Sequence, residues 1–93
     1  DIIFKKINDF NIKIFTDHGT FYTIKNKKIF KDCLNKQVSI FSPFLKNKIS
    51  SYGLKYELKN KQLNYLYEGT LNQAIKNELK IETQEKIFIF ISK

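Results

Sequence analysis

From Tyr52 to Lys59 the sequence alternates without a break. Tyr52, Leu54, Tyr56 and Leu58 fall on one side, and Gly53, Lys55, Glu57 and Lys59 on the other. A period of two sends successive side chains to opposite faces of a pleated strand. The stretch therefore predicts a half-buried β-strand in an antiparallel sheet. Lys59-Asn60-Lys61-Gln62 reads as the hairpin loop that follows, and Leu63, Tyr65 and Tyr67 as the apolar face of the returning strand, ended by Gly69. Leu71 to Asn77 stays open between strand and irregular loop. Leu79 and Ile81 mark a short strand and Gln84-Glu85 a tight turn. Lys86 to Ser92 carries Ile on one face and Phe on the other, a strand covered on both sides.

The first thirty residues repeat the alternation. Ile2-Ile3-Phe4 reads as an edge strand and Lys5 to Asp9 as a turn. Asn11 to Phe15 and Thr20 to Lys25 are two strands joined at Thr16-Asp17-His18-Gly19. Asn26-Lys27-Lys28 turns the chain into a short strand at Ile29-Phe30. From Lys31 the period changes. Leu34, Val38, Phe41 and Leu45 fall on one helical stripe, with Asp32 as a cap and a kink at Ser42-Pro43. The expected class is α+β with small antiparallel sheets: an N-terminal β-hairpin module over 1–30, a linking helix over 31–49, and a C-terminal antiparallel β module, a four-stranded meander, over 50–93.

Composition bounds what such a chain does. Ninety-three residues bury a small core, so a partner that covers apolar surface is the default expectation. The net charge of +8 favours a polyanion. All 17 basic residues are lysine, and Asn, Ile, Phe and Tyr abound. That bias is what an AT-rich genome produces, and it weakens the electrostatic argument, because arginine is the better phosphate fork. A single cysteine, Cys33, excludes an internal disulfide and a Cys-rich zinc site. No run approaches the ~20 apolar residues of a membrane span, and residues 1–30 lack the layout of a signal peptide. The first residue is Asp rather than Met, as in a trimmed, processed or incomplete chain.

Catalytic chemistry is sparse. His18 reads as an exposed turn residue, and a Cys33–His18 pair lacks an orienting third group. Glu57, between Lys55 and Lys59, reads as a solvated strand face. No phosphate-binding glycine loop, metal-ligand cluster or nucleophile elbow is present. The expectation is therefore no enzyme, no cofactor, no metal and no small-molecule substrate. Lys25, Lys27, Lys28, Lys46, Lys48, Lys59 and Lys61 are the candidate RNA-binding residues, set against a reading as solvated strand edges. The five tyrosines favour packing over base stacking.

The order of elements from Phe44 onward resembles the large-subunit ribosomal protein six family. Phe44, Lys46, Lys48 and Ile49 lie close to that family's Gly-Phe-x-Lys-Lys-Leu segment, and Gly53 and Tyr56 stand at its Gly-x-x-Tyr spacing. Leu63 to Gly69, Leu79 to Glu82 and Ile87 to Ser92 follow its later strands in order. Thr70-Leu71-Asn72 departs from the family's Ser-His, and its last helix and basic tail have no counterpart. The resemblance implies a truncated structural protein of an organellar large ribosomal subunit, mitochondrial or from a relic plastid, with an AT-rich bacterial cytoplasm as the alternative. Ribosomal RNA and neighbouring ribosomal proteins would be its partners. A small β-rich accessory subunit of a membrane or protein complex, without RNA binding, is the alternative function.

Overall fold

The computed structural model describes residues 13–44, 46–63 and 70–93. The expected edge strand at Ile2 to Phe4, the turn at Lys5 to Asp9, Leu45 of the helical stripe, and Tyr65, Tyr67 and Gly69 of the returning strand lie outside the described residues. Within them the chain is all β: β1 (Lys13–Phe15), β2 (Gly19–Lys31), β3 (Gln37–Phe41), β4 (Lys48–Tyr52), β5 (Lys61–Gln62), β6 (Asn72–Gln73) and β7 (Glu78–Ser92). The expected α+β class and its linking helix are corrected to an antiparallel all-β fold. One sheet draws its strands from both sides of residues 31–49.

The helical stripe fails because Ile40 interrupts it. Val38 and Ile40 are β-branched and alternate with Ser39 and Phe41, so a strand serves them better. Both are fully buried, whereas Leu34 is 47% exposed. In β3 they face Ile91 and Ile89 of β7.

β7 organises the sheet. Along one edge it pairs with β2, from Gly19 opposite Ser92 to Lys31 opposite Glu78. Along the other it holds β3 through residues 88–91 and β4 through residues 80–83. β1, β6 and β5 extend β2, β3 and β4 outward. The β1–β2 hairpin forms where the sequence puts it, its turn closed by Thr16, whose Oγ1 accepts hydrogen bonds from the amides of His18 and Gly19.

The expected turns at Asn26–Lys28 and Gln84-Glu85 do not reverse the chain. Both strands run through them, and the register slips between Ile24, opposite Ile87, and Asn26, opposite Thr83. Lys25 thus faces Gln84, Glu85 and Lys86, and Asn26 takes a φ of 71°, a left-handed conformation that asparagine tolerates better than most residues. Asn47, 2% exposed, clips this bulge from beneath. Its Oδ1 accepts from the Glu85 amide at 2.9 Å, and its Nδ2 donates to Thr83 Oγ1 at 2.8 Å and to the Glu85 carbonyl at 3.3 Å. A bulge bends the strand that carries it. Ile40, Ile87 and Ile89 on one side of the bend and Ile49, Leu79 and Ile81 on the other consequently share a single core.

Candidate functional site

The alternating stretch that predicts a strand over Tyr52–Lys59 leaves the sheet at Tyr52, where β4 ends. Gly53 takes a φ of +108°, and a Cβ there would lie 2.6 Å from the Glu78 carbonyl oxygen. The Glu57 carboxylate then captures the amides that a strand would offer to a neighbour. Oε2 accepts from the Gly53 amide at 2.8 Å, and Oε1 accepts from the Leu54 amide at 2.9 Å and from Ser51 Oγ at 2.7 Å. Ser51 Oγ in turn accepts from the Leu58 amide at 2.7 Å, closing the neck of the loop. Leu54 and Leu58 still reach the core, but Tyr52 and Tyr56 stand 52% and 62% exposed. Glu57 is therefore exposed as expected, but it serves as the latch of a loop and not as part of a strand.

A second segment braces the loop from outside. Asn72 donates from Nδ2 to the Tyr56 carbonyl at 2.8 Å and accepts from the Tyr56 amide at 3.1 Å. The Lys55 amide donates to the Gln73 carbonyl, and the Ile75 amide to the Gly53 carbonyl, each at 2.8 Å. Leu71, just before Asn72, sits at a φ of 57° with its side chain 77% exposed. An apolar residue in that conformation costs of order 1–2 kcal/mol, and the Asn72 clamp beside it holds the segment in place.

Partial burial alone pushes the Glu57 carboxyl up. The hydrogen bonds from Ser51, Gly53 and Leu54, with the charge of Lys76, outweigh it and hold the group below the usual carboxylate range. A carboxyl depressed on folding contributes stability that is present above its unfolded value and lost as pH falls through the folded one. Glu57→Gln is therefore expected to flatten the acid limb of a melting-temperature profile taken from roughly pH 3 to 7, while lowering the neutral-pH plateau by a few degrees. Parallel profiles for the two proteins would refute the latch.

Three open clefts adjoin one another along this side of the molecule. The first, of about 350 Å³, is lined by Ser50, Tyr52, Glu57, Leu58 and Asn60, with Lys59 also on its wall. Tyr52 and Leu58 supply its apolar surface. The Tyr52 ring carries Lys80 Nζ at 4.2 Å from its centroid, and Lys80 also pairs with Glu82 at 3.4 Å. The second cleft, of about 460 Å³, shares Ser50 and Asn60 with the first and adds Asn26, Lys27, Lys48 and Gln84. Glu82 lies between Lys27 and Ser50 in the sheet register. The third, of about 480 Å³, shares Asn26 and Lys27 with the second and is otherwise walled by Lys13 and the run from Tyr22 to Lys25, with Lys28.

The seven lysines singled out in the sequence are thus only partly gathered. Lys25, Lys27 and Lys28 meet along β2, and Lys48 joins Lys27 across the sheet. Lys59 turns to the Glu57 cleft, Lys61 lies on β5, and Lys46 is exposed ahead of β4. Cys33 is buried, its Sγ 3.3 Å from the Asn77 carbonyl oxygen, and desolvation pushes its thiol up. His18 is exposed in the β1–β2 turn, so the two form no catalytic pair. Ser51, Asn72 and Asn47 escape sequence reasoning; the signal available for the loop is a glycine followed four residues later by a carboxylate able to fold back on it.

The family model described as "Thiamin pyrophosphokinase, substrate-binding domain" matches residues 19–90. Among solved structures, the chain is similar to a thiamin pyrophosphokinase from Candida albicans at 14% identity and a TM-score of 0.79, over 98% of this chain and 38% of that one. A thiamine pyrophosphokinase from Bacillus subtilis matches at 16% identity and 0.72, over 99% and 46%. One from Geobacillus thermodenitrificans matches at 18% and 0.70, over 99% and 45%. The chain spans less than half the length of each. No curated protein sequence matches it. These findings overturn the expected kinship with ribosomal protein six, and with it the structural role in a large ribosomal subunit, the rRNA and ribosomal-protein partners, and the place in translation. The accessory-subunit alternative gains nothing from them. The matching family is that of an enzyme acting on small molecules, which corrects the expectation of a non-enzyme with no small-molecule substrate. The ribosomal resemblance rests on strand-type positions in order, a pattern that any antiparallel chain of this length supplies.

Proposed function

Because the chain belongs to the thiamin pyrophosphokinase substrate-binding domain family, we propose that it is the part of such an enzyme that seats thiamin for transfer of a diphosphoryl group from ATP. In that reaction the thiamin hydroxyl oxygen bonds to the β-phosphorus, the bridge to the α-phosphate breaks, AMP leaves, and the hydroxyl proton passes to a base or to water. The chain's share is to bind and orient the ring system.

The observation that carries this reading is the Glu57 carboxylate held ionised on the wall of a cleft faced by Tyr52 and Leu58. Thiamin is a flat heteroaromatic molecule with a fixed positive charge on its thiazolium ring. An aromatic face and an apolar wall suit the rings, and a carboxylate unable to protonate near neutral pH suits the charge. The cleft volume falls at the small end of ligand sites. Because the three hydrogen bonds fix the carboxylate in advance, binding does not have to order it.

Tyr52→Ala is expected to weaken thiamin binding about tenfold in a calorimetric titration, with the circular dichroism spectrum unchanged, because the half-exposed ring contributes contact without supporting the core. Unchanged affinity would remove thiamin from this cleft.

A further inference from the structure

We propose that Lys80 is a specificity-determining residue of the thiamin cleft: its ammonium rests on the Tyr52 ring as a resident cation, and a cationic ligand binds there only as Lys80 gives up that contact and shifts to Glu82. The proposal rests on the ring placement above and adds the residue that limits its affinity.

Lys80 lies directly opposite Tyr52 where β7 pairs with β4. Its Nζ stands 4.2 Å from the centroid of the Tyr52 ring, closer than any other lysine to an aromatic ring among the described residues. On its other side Lys80 faces Ile29 of β2, which offers no charge. Lys80 does not itself line the Glu57 cleft, whereas Tyr52 does. The two cations therefore share a ring without sharing a cavity. A cation over either face of a ring draws on the same π-electron density. A second cation then meets a weaker partner and a like charge close by.

Glu82 provides the way out. It lies two residues beyond Lys80 on β7, hence on the same face of the strand, and its carboxylate sits 3.4 Å from Lys80 Nζ. The two side chains are 36% and 43% exposed, so packing fixes neither of them. The flexible lysine stem can exchange the ring for the carboxylate without stranding its charge. Lys27 is the other cation facing Glu82 in the register, and Ser50, on the far side, is neutral. Lys80 thus sets how strongly the cleft distinguishes thiamin from a flat ring without charge. The charged ring has to displace a cation, and the neutral one does not.

Titration of the full chain with thiamin, by calorimetry, and with thiochrome, its flat uncharged oxidation product, by fluorescence, tests this. K80Q is expected to bind thiamin about threefold more tightly and thiochrome as before, because one exposed cation–ring contact amounts to about that factor. K80R keeps a cation over the ring and is expected to bind thiamin no more tightly than the wild type. E82Q removes the second partner of Lys80 and is expected to weaken thiamin by a similar factor, an effect that disappears in K80Q/E82Q. In NMR spectra of the wild type, the Tyr52 ring current is expected to shift the Lys80 ε-methylene upfield, and saturating thiamin to relieve that shift. Equal thiamin affinities for K80Q and wild type overturn the proposal and leave the ring placement standing. Tightening of both ligands alike means that Lys80 merely crowds the ring, and overturns it too. A loss in E82Q that persists in K80Q/E82Q makes Glu82 a direct partner of the ligand and overturns the exchange. Thiamin binding by neither K80Q nor wild type removes the ring placement itself, and the proposal with it.

Discussion

Asn47→Ala is expected to lower the melting temperature by roughly 10–20 °C, a loss of about 2–3 kcal/mol. The Asn47 side chain is the partner of the Glu85 amide and also binds Thr83 Oγ1 and the Glu85 carbonyl, all within the bend of β7. Truncation leaves buried polar groups without that partner and opens a gap under the bulge. The cost of an unmade hydrogen bond in a buried site exceeds the benefit of making it, which is why the effect is large. Asn47→Asp keeps the acceptor for Glu85 but loses the donor and buries a charge, so it is expected to fall at least as far. A melting temperature for Asn47→Ala within a few degrees of wild type would show that the bend is set by the strands alone.

Gly53→Ala is expected to cost about 2–3 kcal/mol and to abolish thiamin binding together. Two independent reasons converge. An L side chain is strained at a φ of +108°, and the added Cβ would meet the Glu78 carbonyl oxygen at 2.6 Å, where backbone cannot easily yield. Relief requires the chain to leave the left-handed region, and then the Gly53 and Leu54 amides no longer point at Glu57. The loop opens and Tyr52 loses its neighbour in the cleft. Ile40→Ala, a core truncation in β3 where the chain faces Ile89 away from the loop, is the control. It is expected to destabilise comparably while leaving affinity intact when measured well below its melting temperature. Equal affinities for the Gly53 variant and wild type would disconnect the loop from the site.

The strands legible in the sequence are those whose alternation agrees with their pairing. Lys13–Phe15 against Gly19 onward, and Ile87, Ile89 and Ile91 on one face of β7, follow the period of two directly. Two kinds of feature hide. The first is a strand whose turn-forming residues serve as a bulge: Asn26 and Gln84-Glu85 have turn chemistry, yet pairing on both edges of β7 carries the chain straight through. The second is a loop whose residues alternate like a strand. Between Tyr52 and Leu58 nothing in the hydrophobic pattern betrays that Glu57 will take the ladder's amides for itself. The helix over 31–49 misleads for a third reason: Leu34 and Val38 match a helical stripe only if Ile40 is ignored, and burial of Ile40 against Ile89 decides the matter. Of the site, the lysines of β2 are legible as charge, but their meeting with Lys48 depends on a register that residue types do not reveal.

That β7 follows the other described strands in the chain also governs when they acquire their shape. Among the described residues, β2, β3 and β4 meet one another in the sheet only through it. A chain emerging from the ribosome therefore holds at most the separate pairs β1–β2, β3–β6 and β4–β5, with nothing to join them, until residues 78–92 are free to insert among them. Assembly is thus a late, all-at-once closure over long sequence separations, a topology associated with slow folding, and until then the isoleucines of β3 and β4 depend on whatever shields nascent chains.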